Sequence, residues 1–512
     1  MLDFAGKNVT VMGLGRFGGG AGVTRWLAGQ GADVLVTDLD PPEKLEASLA
    51  AIADLTARCD PRAGRAGGPG PVTLRLGEHN VSDFSECDLV VANPAVPRPW
   101  ENRFLRAASA AGVPITSEIG LLVRRLPDAR SVVGVTGSVG KSTSSAMVHF
   151  ALEAVLGDSA EGVLRVALGG NIGGSLLPVL DRIDERTKVV LELSSAMLWW
   201  LGDADPEVRT LTREPRGGRG EGVPAGWSPG VGLVTNISAN HLDWHGEFEH
   251  YCACKRLLIE SMPADGVAVL VDESVRAWKS VTRARVVEPA PHCFGREMRL
   301  PGAHNRVNAA GALEAAWAVL RDDPIARNLG ERGLREALGA AIGAFTGLEH
   351  RLQLVAEVGG VKYFNDSKST TPESCLKALE ALRETSARGL AGVHLIAGGY
   401  DKKTPLTSVA DAGRLLAGLY TIGATGATLS ELAAGAGAIV ERCGTLSAAV
   451  RACAERARPG DVVLLSPACA SWDQYVNFEA RGQEFVGLVR RLAAAERAGE
   501  SPRRHGKAEA ER

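Results

Sequence analysis

The sequence predicts an α/β protein built from three successive domains. Its 512 residues exceed what one core ordinarily serves. Short β-branched apolar runs alternate with helical periodicities along most of the chain. Two of those runs end in glycine-rich turns that lead straight into a helix.

The chain opens with a strand at Lys7 to Gly13, a helix at Phe17 to Gln30 and a strand at Val34 to Asp38. A Gly, Pro and Arg stretch, Cys59 to Pro71, reads as an exposed insertion before the strand Asp88 to Asn93. The first domain closes near Pro127. Ser131 to Thr136 starts a second parallel sheet, followed by a helix at Lys141 to Leu156 and strands at Lys188 to Ser194 and Gly232 to Ile237. Between these last two, Thr212 to Trp227 has no apolar period and reads as a loop, more a tolerated insertion than a lid. Helices are expected at His304 to Leu320 and Glu331 to Phe345. A hairpin, Leu352 to Val358 and Val361 to Asn365 about a Gly-Gly turn, opens the third domain, with strands at Val393 to Ala397, Tyr420 to Ile422 and Asp461 to Leu465. The expected divisions are 1–127, 128–348 and 349–493, with a disordered tail over 494–512, where Ala, Glu, Arg and Lys offer no stable apolar face.

Composition narrows the class. The chain is 45% hydrophobic and 23% charged with a formal net charge of -3, which fits a soluble globular protein and offers no basic excess for nucleic acid or a membrane surface. No apolar run is long enough to span a bilayer and nothing near Met1 reads as a signal peptide, so the cytoplasm is the expected compartment. The nine cysteines are expected to be reduced; Cys252 and Cys254 show neither the spacing nor the partner residues of a zinc site.

Two glycine turns carry chemistry. Gly13-Leu-Gly-Arg-Phe-Gly18 lies between a strand and a helix, with Asp38 ending the next strand. That pattern suits a dinucleotide, but backbone N–H groups at a helix start suit any nucleotide diphosphate. The second turn, Gly137, Ser138, Val139, Gly140, Lys141, Ser142 and Thr143, is the stronger signal. Glycines turn amides toward phosphate oxygens, Lys141 adds charge, and Ser142 or Thr143 can ligate magnesium. Its spacing departs from the general phosphate loop, because two residues rather than four separate Gly137 from Gly140. A plain strand-to-helix turn is the alternative. Glu192 ends an apolar strand at the sheet edge where open α/β folds bind ligands, and a magnesium ligand is plausible there. His241 and Asp243 cluster after another strand; Lys255, taken alone, is an ordinary surface lysine.

In order, the Gly-Lys-Ser-Thr loop, Gly170-Asn-Ile-Gly173, Glu192-Leu-Ser-Ser195, Asn236 to Asp243 and Ala303-His-Asn-Arg-Val-Asn308 resemble the Mur ligases. So do His350-Arg351, Asn365 to Thr370 and Gly398 to Lys402, while Ser466 to Ser471, running on to Phe485, resembles the D-glutamate-adding branch. The Asp-Asn-Pro-Arg motif of the diaminopimelate- or lysine-adding relatives is missing. The resemblance implies an N-terminal Rossmann-like uridine-nucleotide domain, a central P-loop ATPase domain with a parallel sheet and a C-terminal Rossmann-like domain. It also implies a monomer that uses ATP and two magnesium ions to join D-glutamate to UDP-N-acetylmuramoyl-L-alanine through an acyl phosphate, in peptidoglycan synthesis.

Residue by residue, the resemblance assigns the ATP phosphates to Gly137 through Thr143, with Lys141 foremost. The metals go to Ser142, Glu192, His241 and Lys255, the last matching a carbamylated lysine. Asn305, Arg351 and Asp366 would hold the nucleotide, and Gly15, Arg16, Phe17, Asp38, Asn171, Ser194 and His241 the uridine-linked substrate. Lys368, Thr370, Lys402, Ser471 and Phe478 would receive the amino acid. Departures occur at Val139, Asn240, Trp244, Met197, Leu39, Asp40 and Asn93-Pro-Ala95. Three alternatives stay open: another Mur-type or folylpolyglutamate-type ligase, an inactive nucleotide-binding homologue, and an NAD oxidoreductase resting on the first glycine turn.

Overall fold

Parallel strands that run as continuous Val, Leu and Ile segments need cover on both faces, and the chain supplies it with a helix after nearly every strand. The computed structural model describes residues 3–15, 19–56, 70–157, 162–202, 226–290, 294, 298–383, 385–401 and 404–498. Among these, three sheets form. The first holds β1 (Asn8–Met12), β2 (Asp33–Asp38), β3 (Val72–Leu76), β4 (Leu89–Ala92) and β5 (Ile115–Thr116) in the order β3-β2-β1-β4-β5, all parallel. The second holds β6 (Val132–Thr136), β7 (Val166–Gly170), β8 (Lys188–Glu192), β9 (Val231–Val234), β10 (Val267–Leu270) and β11 (Arg285–Val287) in the order β11-β10-β9-β6-β8-β7, again all parallel. β6 sits inside this sheet, and the phosphate-loop turn leaves from its C-terminal end.

The third sheet comprises β12 (Gln353–Val358), β13 (Val361–Asn365), β14 (Val393–Gly398), β15 (Gly418–Ile422), β16 (Val440–Gly444) and β17 (Val462–Leu465), ordered β12-β13-β17-β14-β15-β16. Only β12 runs antiparallel, as the expected Gly-Gly hairpin requires. The residues group into two compact units: 1–293 with 307–342, which carries the first two sheets, and 294–306 with 343–512, which carries the third. The second unit's sheet is packed on both faces. Leu395, Leu419, Val462 and Leu464 point to one side and Ile396, Tyr420, Val463 and Leu465 to the other.

Several elements differ from the reading of the sequence. The helix expected from Glu331 starts at Pro324 and breaks at Gly330, where φ is +69°. Asp323 accepts the N–H of Ile325, so the earlier start has its own cap. The closing helix, Phe478–Arg497, carries order past residue 493, because Phe485 and Val489 anchor it in the core. The tail therefore does not begin at 494. Of the two expected insertions, Cys59 to Pro71 and Thr212 to Trp227, residues 59–69 and 212–225 lie outside the described residues. Among the described residues, no helix is long and apolar enough to cross a membrane.

Candidate active site

The phosphate-loop turn is held by backbone. Gly140 caps the helix Lys141–Leu156 with φ +88°, and an added Cβ there would press on the Asn308 side chain. Gly137, at φ +141°, leaves no room for a Cβ against Thr235 Oγ1. Val139 N–H donates to Asn236 Oδ1 at 3.0 Å, and Val139 C=O accepts from Thr235 Oγ1 at 2.7 Å and from Asn236 Nδ2 at 2.9 Å. Its side chain is 51% exposed. A valine at this position leaves these contacts in place, since the main chain makes them. Ser138 Oγ bonds the Tyr251 hydroxyl at 2.9 Å, accepts from Ser238 N–H, and Lys141 Nζ donates to Ser138 C=O at 3.0 Å.

Two ionisable side chains lie buried behind this loop. Glu192, 1% exposed at the end of β8, accepts from Asn171 Nδ2 through Oε1 at 2.8 Å, while its Oε2 is buried with no hydrogen-bond partner. A buried carboxylate oxygen left unpaired is costly unless a cation completes it. Lys255, also 1% exposed, rises from the helix Phe248–Glu260, with Nζ 3.3 Å from Thr136 Oγ1 and 4.8 Å from the Tyr251 ring centre. The sequence reading of a surface lysine fails here. Burial, and then the neighbouring charge of Lys141, hold its pKa well below the ordinary lysine range. The Glu192 charge also acts on it, in the opposite sense.

His241 caps the helix Leu242–His245 in a left-handed conformation, φ +52°, with its N–H bonded to Asn240 Oδ1 at 2.9 Å. Burial lowers its pKa; Asp243 opposes this, and Lys141 and Lys255 reinforce it. Lys141, Glu192, His241 and Lys255 thus belong to one electrostatic neighbourhood. Its chemistry is that of an anion-receiving loop with a carboxylate, an imidazole and a buried amine whose charged form is disfavoured at its base.

In the first sheet, Asp38 serves its own loop. Its Oδ2 accepts the Gly15 N–H at 3.0 Å and its Oδ1 the Asp40 N–H at 2.9 Å, so the expected uridine-site carboxylate shapes the glycine turn. Arg16 and Phe17 lie outside the described residues. Asn171, expected against the uridine-linked substrate, is bonded to Glu192 through both its side chain and its N–H. Ser194 caps the helix Ser195–Trp200 by accepting the Met197 N–H, so Met197 contributes its backbone there. Trp244 is buried, donates to Pro94 C=O at 3.2 Å and packs against Trp100 and Trp199.

The second unit carries Asn305, Arg351, Asp366, Lys368, Thr370, Ser471 and Phe478; Lys402 lies outside the described residues. Asn305 donates to Pro301 C=O at 2.6 Å. Asp366 accepts from Ser466 Oγ at 2.8 Å and from Leu352 N–H at 3.2 Å, yet burial pushes its carboxyl up to about 7. Exposed Lys368 sits 5.5 Å from the Phe478 ring centre. Arg481 is a residue that the reading of the sequence does not single out. Fully buried, it donates to Ser367 Oγ and C=O and to the carbonyls of Cys469 and Ala470, tying the Lys368 segment to the Ser471 segment. An arginine one helical turn after Phe478 was the only available signal.

A second cluster was not anticipated. His245, His250 and Cys254 lie together and buried, so Cys254 does have histidine partners. The pair His250 and Cys254, four apart on one helix, was the legible half of it.

Residues 350–469 match the Mur ligase, glutamate ligase domain, and residues 217–293 match the Mur ligase middle domain. The chain is 34% identical to the UDP-N-acetylmuramoylalanine–D-glutamate ligase of Roseiflexus sp. strain RS-1, over 95% of this chain and 99% of that one. It is 30% identical to the protein of the same name from Koribacter versatilis, over 97% of this chain and all of that one. Its fold is similar to the crystal structure of UDP-N-acetylmuramate-alanine ligase from Thermotoga maritima, with TM-score 0.50, 16% identity and coverage of 95% and 99%.

Proposed function

This chain belongs to the Mur ligase family, and from that premise we propose that it joins D-glutamate to UDP-N-acetylmuramoyl-L-alanine at the expense of ATP, in peptidoglycan synthesis. The observation that carries the reading is the full-length similarity to D-glutamate ligases, with Lys141, Glu192, His241 and Lys255 all present in one neighbourhood.

A carboxylate is a poor acyl donor because oxide is a poor leaving group. In this reading the terminal phosphate of ATP passes to the alanyl carboxylate, and the amine of D-glutamate attacks the resulting acyl phosphate to release phosphate and form the amide. The phosphate-loop amides and Lys141 receive the ATP phosphates and stabilise charge on the transferring group. The unpaired Glu192 Oε2 is the observation that fits a divalent cation; Ser142, Glu192, His241 and Lys255 would hold magnesium, two ions in all. Bound magnesium supplies charge neutralisation at the phosphates. Burial disfavours the Lys255 ammonium; its amine would add carbon dioxide with loss of a proton to solvent, and the carbamate so formed would be an anionic ligand where an ammonium would repel metal.

Asn305, Arg351 and Asp366 hold the nucleotide in this proposal, and Lys368, Thr370, Lys402, Ser471 and Phe478 the D-glutamate. An ammonium and a hydroxyl pair with its distal carboxylate and so separate it from neutral amino acids. Gly15, Arg16, Phe17, Asp38, Asn171 and Ser194 serve the uridine-linked substrate. The proposal includes domains at 1–127, 128–348 and 349–493, a monomer, and a cytoplasmic location.

The test is phosphate release by the purified chain with ATP, magnesium and UDP-N-acetylmuramoyl-L-alanine, with D-glutamate compared against L-glutamate, L-lysine and no amino acid. Release confined to D-glutamate, with the amide seen by mass, is expected. Release with another amino acid overturns the amino-acid assignment, and none with any acceptor overturns the ligase reading.

A further inference from the structure

The helix that presents Lys255 also presents His250 and Cys254, one turn apart, and His245 reaches them from the short helix before the Gly246 bend. His245 Nδ1 and His250 Nδ1 are 2.9 Å apart, and Cys254 Sγ is 3.8 Å from the first and 3.9 Å from the second. Ligand atoms held about 2.0–2.3 Å from one ion in a trigonal or tetrahedral set are about 3.3–3.8 Å from each other, so this triangle needs shifts of only a few tenths of an ångström. The remaining nitrogen of one imidazole is already committed: His245 Nε2 lies 2.8 Å from Ser195 Oγ. Such an outer hydrogen bond fixes ring orientation and tautomer in histidine metal sites. Aromatic rings enclose the cluster, with Trp100 5.0 Å from the His250 ring centre and Trp244 4.4 Å from that of His245.

We propose that His245, His250 and Cys254 form a binding site for one thiophilic metal ion, separate from the magnesium positions, with copper(I) preferred over zinc(II). Thiolate with imidazole is a ligand set that selects these two ions over magnesium or calcium. Coordination number favours copper(I), because structural zinc takes four protein ligands and no fourth His, Cys, Asp or Glu joins this group among the described residues. Charge favours it as well. Copper(I) on one thiolate is neutral, whereas zinc(II) leaves a net positive charge buried among aromatic rings. Each imidazole would bind through an unprotonated nitrogen, and the Cys254 thiol would give up its proton on binding. The proposal is independent of the ligase reading.

The experiment uses the full chain, purified metal-free under reducing conditions and titrated anaerobically with copper(I) against a chromophoric chelator, and with zinc(II) in a parallel series. Near-ultraviolet thiolate-to-metal absorption and bound equivalents are read together. One equivalent of copper(I) is expected in the parent and in Cys252→Ser, lost or weakened at least ten-fold in both Cys254→Ser and His250→Gln. Circular dichroism identifies any variant that has lost its fold, and the other then decides. A copper equivalent that persists in folded Cys254→Ser and His250→Gln overturns the site, as does a parent that binds neither ion. Zinc retained alone, and lost in both variants, overturns the preference for copper.

Discussion

Asn171 donates to one oxygen of Glu192 at 2.8 Å and leaves the other oxygen buried and unpaired. The amide fixes the carboxylate's rotation, so the unpaired oxygen has one direction in which to accept a cation. Glu192→Gln should lower magnesium-dependent phosphate release by about 10²-fold or more, since charge stabilisation of that kind is worth about this much. Thermal unfolding should not fall, because a neutral amide is cheaper to bury than a carboxylate. Activity within ten-fold of the parent would sink the metal-ligand role.

Lys255 is expected to carry a carbamate. With ¹³C-bicarbonate, NMR of the parent should show a carbamate carbon that Lys255→Ala lacks. Lys255→Arg places a fixed positive charge there and cannot be carbamylated, and should lose about 10²–10³-fold in turnover. Full turnover in Lys255→Arg would show that a cation suffices there.

Glu118, half-buried at the start of the helix Glu118–Val123, accepts from Ser175 Oγ at 2.7 Å, and desolvation raises its carboxyl from 4.5 to about 7. Its unfolded form ionises first, so the stability it contributes is complete below about pH 4.5 and is lost as pH rises through 7. Glu118→Gln does not titrate, and its stability relative to the parent should grow by up to about 3 kcal/mol between pH 4.5 and 8. Urea unfolding at the two pH values measures this directly; a constant difference would refute it.

Arg481→Met should destabilise the second unit by about 3 kcal/mol or more, since it strands the carbonyls of Ser367, Cys469 and Ala470. At temperatures where the variant is folded, the KM for D-glutamate should rise with little change in the KM for ATP. Equal rises would mean that the arginine supports the unit generally and not the amino-acid side.

How much of this was legible in the sequence depended on how local the cause was. The helix Lys141–Leu156 and the strand Val361–Asn365 have the bounds read from the sequence, because glycines punctuate their starts. β7 escaped notice: Val-Ala-Leu-Gly-Gly is short and its glycines look like a loop, yet Glu192 on the neighbouring strand packs against it. Burial decided the rest. Lys255 and Arg481 look like surface cations in one dimension, and only the tertiary fold removes them from water. The His245 and Cys254 pairing crosses the bend at Gly246, so no single-helix periodicity reveals it.

In the third sheet, β17 lies between β13 and β14, with Val462 opposite both Lys362 and Val393. Among the described residues it is also the last strand in chain order. While the nascent chain is still short of residue 465, β13 and β14 each present a bare row of amides and carbonyls, open to pairing with another chain. Native pairing must wait for a partner about a hundred residues away, a topology that folds slowly and stays exposed to aggregation meanwhile. A ribosome that stops before residue 462 therefore releases a second unit without its centre, a fragment for proteases and chaperones rather than a smaller enzyme.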